Sequence, residues 1–175
     1  MIDKITEEYV IAYLDHIIGE FQIRDLVRAS WDAKANFLVA VGCMNTIEFL
    51  GGIDNGLLGK RNKVWERFRD GVRLLQGEYI NPPNCNEEIL YELRNSLTHQ
   101  YLVAIKKVYI RHIVIVSDWE TKQAIFRDID EFTLNVAQVI QDLGMAWAKL
   151  RTNLEKDNAK LVRVSTLLNA LPILQ

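Results

Sequence analysis

An arginine, an amide, an imidazole and a phenol fall within one short run near the middle of this chain: Arg94-Asn95-Ser96-Leu97-Thr98-His99-Gln100-Tyr101. The imidazole of His99 can give or take a proton at neutral pH. Arg94 supplies a permanent cation whose forked donors suit a phosphate group, and Asn95 can orient the imidazole or a substrate. Proton transfer beside a stabilised phosphate suits metal-independent RNA cleavage, in which the 2′-hydroxyl attacks its own phosphate.

The run lies in a segment of helical periodicity, which predicts a helix over residues 87–105. At about 100° per residue, Asn95 and His99 lie one turn apart on one face of this helix, and Arg94 lies at the boundary of that face. We therefore expect the three side chains to share one exposed patch. The other side is predicted to be a buried stripe, with Tyr101 at its edge; the stripe comprises Leu90, Leu93, Leu97, Tyr101 and Ala104.

A single histidine leaves this patch without a second acid–base group, although RNA cleavage needs both a base and an acid. A two-fold dimer that joined two such helices would supply a second His99 and a second Arg94, so we expect a homodimer. No carboxylate–histidine cluster with metal-ligand spacing accompanies the run, so neither a metal nor another cofactor is expected. A purely structural interpretation stays open, in which Arg94 pairs with Glu92 or Asp70 and His99 is solvated.

The most basic segment of the chain follows a glycine-rich connection over residues 51–60. That connection does not match a phosphate-binding P-loop, because the G-x4-G-K-[ST] pattern fails on both sides of Gly59-Lys60. The charges of the basic segment have two interpretations. They form a solvated helix face partly paired with Glu66 and Asp70, or a surface for the phosphate backbone of RNA made by Lys60, Arg61, Lys63 and Arg67.

Hydrophobic periodicity predicts three helices before the one that carries the run. The first is expected over residues 4–21. The second runs from an N-cap at Ser30 to a stop at Gly51-Gly52, and its nearly continuous apolar sequence predicts a place at the centre of the fold. The third covers residues 62–76.

The fourth helix opens with the N-x-x-E capping pattern of Asn84 and Glu87. A β-hairpin is then expected over residues 107–127, because a β-branched and aromatic segment over residues 108–116 is followed by a polar turn and a second short segment over residues 123–126. C-terminal helices follow over residues 130–170. The predicted fold class is therefore all-α: an up-and-down bundle of four to five helices with a small β-hairpin insertion, in a single domain over residues 1–175.

Composition is that of a soluble globular domain, with 49% hydrophobic and 25% charged residues. The net charge of −2 excludes a globally basic nucleic-acid binder but not a local basic patch. No apolar run approaches the roughly 18 residues of a transmembrane helix, and the N-terminus lacks a signal-peptide pattern, so we expect a cytoplasmic protein. Cys43 and Cys85 are expected to be reduced thiols, and His16 and His112 ordinary positions on a helix surface and a strand.

The run from Arg94 to His99 matches the R-x4-6-H signature of the HEPN superfamily, including the polar residue that follows the arginine. Its extension to Tyr101 resembles the R-x4-H-x-Y form of HEPN toxins that are paired with minimal nucleotidyltransferases. The resemblance implies a helical-bundle dimer in which Arg94 and His99 of both protomers form a metal-independent endoribonuclease site, in a toxin or defence context. It also implies a partner nucleotidyltransferase, the antitoxin, that adenylylates Tyr101. It covers the chain as far as residue 105.

A function from another class is also compatible with the sequence: a non-catalytic helical-bundle dimer that binds a partner protein or a nucleotide. Some members of the HEPN superfamily have such a role. The mild acidity of the chain and the single histidine of the patch favour this alternative. RNA cleavage that depends on His99 distinguishes the two functions.

Overall fold

The computed structural model describes residues 5–33, 35–75, 77–81, 85–99, 112–128 and 130–171, and it is mostly helical with one small sheet. The mainly helical class predicted from periodicity is therefore confirmed. One cluster of buried apolar side chains joins the helices to the sheet. Its largest fully buried members include Phe68 of a helix and Phe132 of a strand.

The chain begins with a continuous helical run: α1 (Glu7–Leu14), a π-helical segment (Asp15–Ile23) and α2 (Arg24–Trp31). The prediction that the first helix ends near residue 21 and that Ser30 caps a new one is wrong, because Ser30 is buried inside α2. Leu26 and Ser30 lie four residues apart on the inward face of α2. The buried face of this helical run therefore continues through α2, although the exposed face of α2 is polar.

Helix α3 (Asn36–Asn55) contributes buried side chains along most of its length. The expected stop at Gly51-Gly52 is wrong, because the helix continues to Asn55. It ends at Gly56, whose φ of 71° is the left-handed conformation that glycine adopts freely. Gly56 donates its N–H to the carbonyl of Gly52, so the last turn is closed by the chain itself.

Helix α4 (Val64–Leu75) follows a short 3-10 turn (Arg61–Lys63), which agrees with the helix predicted over residues 62–76, and packs against α3 at very short range. A Cβ atom on Gly51 would lie 1.9 Å from the carbonyl oxygen of Arg67. A Cβ atom on Gly71 would lie 1.9 Å from the carbonyl oxygen of Ile47. The glycines therefore hold α3 and α4 at a separation that no other residue allows.

In the part of the chain that the structure describes, α3 is the one helix long and apolar enough to cross a membrane. Of its apolar window, 56% is buried inside the fold, as in the core helix of a globular domain. Length and composition are therefore weak evidence for a membrane span. The cytoplasmic location stays a prediction.

Helix α5 (Glu87–His99) carries the Arg94 run. Its first turn is capped by Asn86, whose Oδ1 accepts a hydrogen bond from the N–H of Ile89 at 2.9 Å. The predicted cap, Asn84, and the predicted last turns, residues 100–105, lie outside the described residues. The buried stripe is confirmed as far as the structure describes it, at Leu90, Leu93 and Leu97.

The β-rich segment forms a three-stranded sheet, with β1 (His112–Val116), β2 (Ile125–Arg127) and β3 (Glu131–Asn135). The predicted hairpin between the first two strands is wrong, because β3 lies between them, parallel to β1 and antiparallel to β2. Phe132, which helical periodicity assigned to the C-terminal helices, is buried in β3 together with Leu134. Their spacing of two residues is that of a strand with one face on the core.

The C-terminal helices are α6 (Val136–Lys156) and α7 (Asn158–Asn169), which confirms the helical prediction for this part of the chain beyond β3. Helix α7 closes onto the start of the described chain. The side chain of Asn169 accepts from the N–H of Ile5 at 2.9 Å and donates to its carbonyl at 2.8 Å. The two ends of the fold are thus joined by a reciprocal pair of hydrogen bonds.

Both cysteines are buried free thiols, as predicted for Cys43 in the apolar helix α3. Burial raises the pKa of the Cys85 thiol to about 12 and raises the pKa of Cys43 well above its ordinary value. Both sulfurs therefore stay protonated at neutral pH, and neither has the character of a nucleophile.

Gly71→Ala is expected to lower the free energy of unfolding by about 1–3 kcal/mol, because the added methyl group must push α3 and α4 apart. Gly144→Ala in α6 is the matched control. Nothing lies within 4 Å of its Cβ position, so alanine should stabilise the helix by about 0.5–1 kcal/mol. Urea denaturation measures both, and equal stability of the two variants would contradict the close packing.

Candidate functional site

Arg94 turns inward from α5 to a carboxylate on α3. Its Nη2 lies 2.8 Å from Oε2 of Glu48, and its Nη1 donates to Oδ1 of Asn95 at 3.1 Å. The Arg94 side chain is 17% exposed, so the expectation that it heads an exposed patch is wrong. Its ion-pair partner is Glu48, where the structural interpretation expected Glu92 or Asp70.

Glu48 also holds a second arginine, which comes from α4. Nε of Arg67 donates to Oε1 of Glu48 at 3.1 Å, and Nη2 donates to the same oxygen. The remaining nitrogen, Nη1, donates to the carbonyls of Leu57 and Lys60 in the connection between α3 and α4. Each carboxylate oxygen of Glu48 therefore serves one arginine, and the arginine triad Arg67–Glu48–Arg94 links three helices.

The arginine triad is mostly buried and carries a net positive charge. Its side chains are 10% exposed at Arg67, 14% at Glu48 and 17% at Arg94. Two cations share one anion, and solvent screens such buried charges less than it screens surface charges. Nε of Arg94 is buried without a hydrogen-bond partner among the described residues. The triad thus has a net positive charge, and Nε of Arg94 is a hydrogen-bond donor that Glu48 does not use.

A pocket of about 280 Å³ opens beside the triad. We call it the arginine pocket; the triad lines it together with Asn45 and Phe49 of α3 and with Leu58 and Gly59 of the following connection. Forked guanidinium donors beside a cavity with net positive charge suit a phosphate group. The arginine pocket is therefore the candidate site for an anionic ligand.

Glu48, which completes this site, was missed by the reasoning from the run alone. A signal for it exists in the sequence, because Glu48 is the only charged residue between Asn36 and Ile53. A lone carboxylate in an apolar, buried helix needs a cationic partner. Glu48 is therefore expected to be paired, although the sequence does not identify the arginine.

The four basic side chains expected to contact a phosphate backbone do not act together. Lys60 and Arg61 are exposed, whereas Lys63 pairs with Glu66 at 2.6 Å. The prediction for Arg67 is corrected, because its guanidinium is buried in the triad and not available to an extended RNA backbone. Other basic residues of α4 are paired as the solvated-face interpretation expects: Arg69 with Asp70, and Arg73 with Asp70 and Glu87.

His99 is the last residue of α5. Its side chain and the whole of Tyr101 lie outside the described residues. The structure thus brings together three of the predicted residues, Arg94, Asn95 and Arg67, and adds Glu48 to them. The approach of His99 to this group and the role of Tyr101 stay predictions.

The other histidines agree with their surface interpretation. His16 is exposed in the π-helical segment, where its ring meets the ring of Phe21 edge to face at 4.8 Å between centroids. His112 is exposed at the start of β1. Over the described ranges, no group of three His, Cys, Asp or Glu side chains is placed to hold a metal ion.

Comparison with known proteins returns no match: no protein family, curated protein or solved structure matches this chain. The case for a function therefore rests on the arginine triad, its pocket and the run on α5. The resemblance to the HEPN superfamily stays a prediction from the R-x4-H-x-Y pattern.

Proposed function

We propose that this chain is a HEPN-like, metal-independent endoribonuclease of a toxin or defence system, with its site completed at a homodimer interface. One observation carries the proposal. Glu48 holds the Arg94 guanidinium beside a pocket of net positive charge. Arg94 lies on α5, the helix that ends at His99. A cation and a titratable group on one helix, with a pocket large enough for a phosphate beside the cation, are the parts that cleavage of a phosphodiester needs.

The reaction is a transesterification within RNA. His99 of one protomer accepts the proton of a 2′-hydroxyl, whose oxygen forms a bond to the adjacent phosphorus while the bond from phosphorus to the 5′-oxygen breaks. The second His99, from the partner protomer, donates a proton to the departing 5′-oxygen. Arg94 donates to the phosphoryl oxygens, on which negative charge develops. The products carry a 2′,3′-cyclic phosphate and a 5′-hydroxyl.

Glu48 and Arg67 act as positioning residues in this proposal. Glu48 holds the Arg94 guanidinium in place before substrate arrives, and Asn95 holds its other edge. A donor that is already oriented needs little reorganisation when charge develops on the phosphate. Arg67 offsets the carboxylate, so that the group as a whole attracts an anion instead of repelling it.

The assembly follows from the same proposal. The helices form the up-and-down bundle of the HEPN superfamily, and two chains pair through α5 so that each supplies Arg94 and His99. Lys60 and Arg61, both exposed, contact the RNA backbone. A nucleotidyltransferase antitoxin modifies Tyr101 and silences the enzyme, and both proteins act in the cytoplasm.

The experiment that tests the proposal uses an RNA oligonucleotide in excess chelator. We expect the purified protein to cleave it, leaving 2′,3′-cyclic phosphate and 5′-hydroxyl ends. The same oligonucleotide with a 2′-O-methyl group on every ribose should stay intact, because its nucleophile is blocked. An absence of cleavage, a requirement for a divalent ion, or cleavage of the methylated strand would each contradict the mechanism.

The second candidate function is the non-catalytic one, and one observation favours it. Glu48 neutralises one of the two cations and leaves Arg94 mostly buried, which suits retention of a nucleotide phosphate without turnover. Binding of a nucleotide without RNA cleavage, unchanged in a His99→Ala variant, would support this alternative over the nuclease.

A further inference from the structure

A second pocket continues the arginine pocket along α3. Its volume is about 580 Å³, and it shares Asn45 and Phe49 with the arginine pocket. We call it the Phe21 pocket, because its far wall comes from the π-helical segment and α2 through Phe21, Gln22 and Leu26. The two pockets adjoin at Asn45 and Phe49, and we call the pair of pockets the groove; the triad lines one of them.

Phe21 presents an aromatic ring in this groove. The residue is 46% exposed, and its ring is held by the edge-to-face contact with His16 and by the Arg24 guanidinium, 5.8 Å from the ring centroid. Phe21 lies in the π-helical segment, a rare geometry that recurs at functional sites. The Arg24 guanidinium lies over one face of this ring. An exposed aromatic ring with a neighbouring cation is a platform on which nucleobases stack.

Hydrogen-bonding side chains also line the Phe21 pocket. Asn45 is exposed on α3, and Oε1 of Gln22 is buried without a hydrogen-bond partner among the described residues. Side-chain amides of this kind read the polar edge of a base, and a ligand N–H that reached Oε1 would satisfy an unpaired acceptor. Asp25 lines the same pocket, and its carboxylate pairs with Arg24 at 3.4 Å. Among the described residues, no lysine or arginine lines this pocket, which favours an uncharged ring over a phosphate.

We propose that the groove binds single-stranded RNA, with one nucleobase stacked on Phe21 and a neighbouring phosphate at the arginine triad. The inference rests on the proposed nuclease function and adds the form of its substrate. The bases of a duplex are already stacked and paired, so they do not enter a pocket of this kind. The enzyme then selects unpaired RNA, and Asn45 and Gln22 set its preference among bases.

Fluorescence anisotropy with a labelled, fully 2′-O-methylated oligonucleotide tests binding without cleavage. Phe21→Ala is expected to weaken binding by roughly 5- to 150-fold, the loss of one base–aromatic stack. Tyr9→Ala is the matched control, because Tyr9 is an aromatic residue of α1 that is 64% exposed and outside the groove. Equal affinities of the two variants, or equal binding of duplex and single strand, would overturn the proposal.

Different experimental outcomes would contradict the proposed nuclease function and the proposed RNA-binding groove. Phe21-dependent binding by a protein that cleaves no RNA would support the groove and contradict the nuclease. Cleavage with a KM that Phe21→Ala leaves unchanged would support the nuclease and overturn the groove. Binding of adenosine monophosphate without binding of the oligonucleotide would also overturn the groove, because a free nucleotide and not RNA would then be the ligand.

Discussion

Replacing Glu48 by alanine is expected to lower the free energy of unfolding by about 3–5 kcal/mol, the usual loss when a buried ion pair is broken from one side. The substitution removes the carboxylate that lies between Arg67 and Arg94. Two mostly buried cations would then face each other without a counter-charge, and their hydrogen bonds would lose an acceptor. Urea denaturation followed by circular dichroism measures the change.

A triple variant separates the effect of charge from that of packing. Glu48→Leu combined with Arg67→Met and Arg94→Met replaces the arginine triad by apolar side chains of similar size. We expect this variant to regain most of the lost stability, because such replacements are often neutral or stabilising. A loss below about 1 kcal/mol for Glu48→Ala, the range of exposed ion pairs, would contradict a buried triad.

Arg94→Ala is expected to reduce the rate of RNA cleavage by about 10²–10³-fold, as the removal of one donor to a developing oxyanion does. Its effect on stability should be much smaller than that of Glu48→Ala, because Glu48 keeps Arg67 as its partner. Single-turnover cleavage of a labelled RNA measures the first effect, and urea denaturation the second.

Two further arginine variants serve as controls for this prediction. Arg94→Lys keeps the charge without the forked donors, so we expect cleavage between that of the wild type and that of Arg94→Ala. Arg151→Ala removes an arginine of α6 that pairs with Asp15 and Glu155 and is 39% exposed; it should leave cleavage unchanged. Full activity of Arg94→Ala would remove Arg94 from the mechanism.

The sequence correctly predicts features that depend only on residues close together in the chain. The buried stripe of α5 follows from the spacing of Leu90, Leu93 and Leu97, and it is confirmed. The end of α3 was predicted wrongly because Gly51 and Gly52 resemble a stop signal, although close packing of α3 on α4 and on the Arg67 side chain requires them. That packing depends on a helix later in the chain, so local periodicity does not reveal it.

Strand pairing in the sheet also depends on an element later in the chain, which local patterns do not reveal. Composition predicts that β1 and β2 are extended, but it does not choose their partner. The choice depends on β3, whose Phe132 and Leu134 cover the core. The five residues of β3 are too few to distinguish the alternation of a strand from part of a helical pattern, so periodicity alone predicts that they belong to the following helix.

For the candidate site, the sequence identified Arg94 and Asn95 but not their environment. Glu48 lies 46 positions before Arg94, and the contact arises only when α3, α4 and α5 pack together. The helix wheel places Arg94 at a boundary, from which a long side chain can turn either way. The Arg94 side chain turns inward because the buried carboxylate of Glu48 attracts its charge.

RNA cleavage by the wild type, His99→Ala and His112→Ala tests most directly the central claim that the run on α5 is an endoribonuclease site. The three proteins are incubated with RNA in excess chelator, and the initial rates are compared. We predict that His99→Ala loses about 10²–10⁴-fold of the rate, the contribution of a general acid–base group. His112→Ala, which alters an exposed histidine of β1 that lines neither pocket, should cleave like the wild type. Equal cleavage by the wild type and His99→Ala, or equal inactivity of both, would contradict the claim.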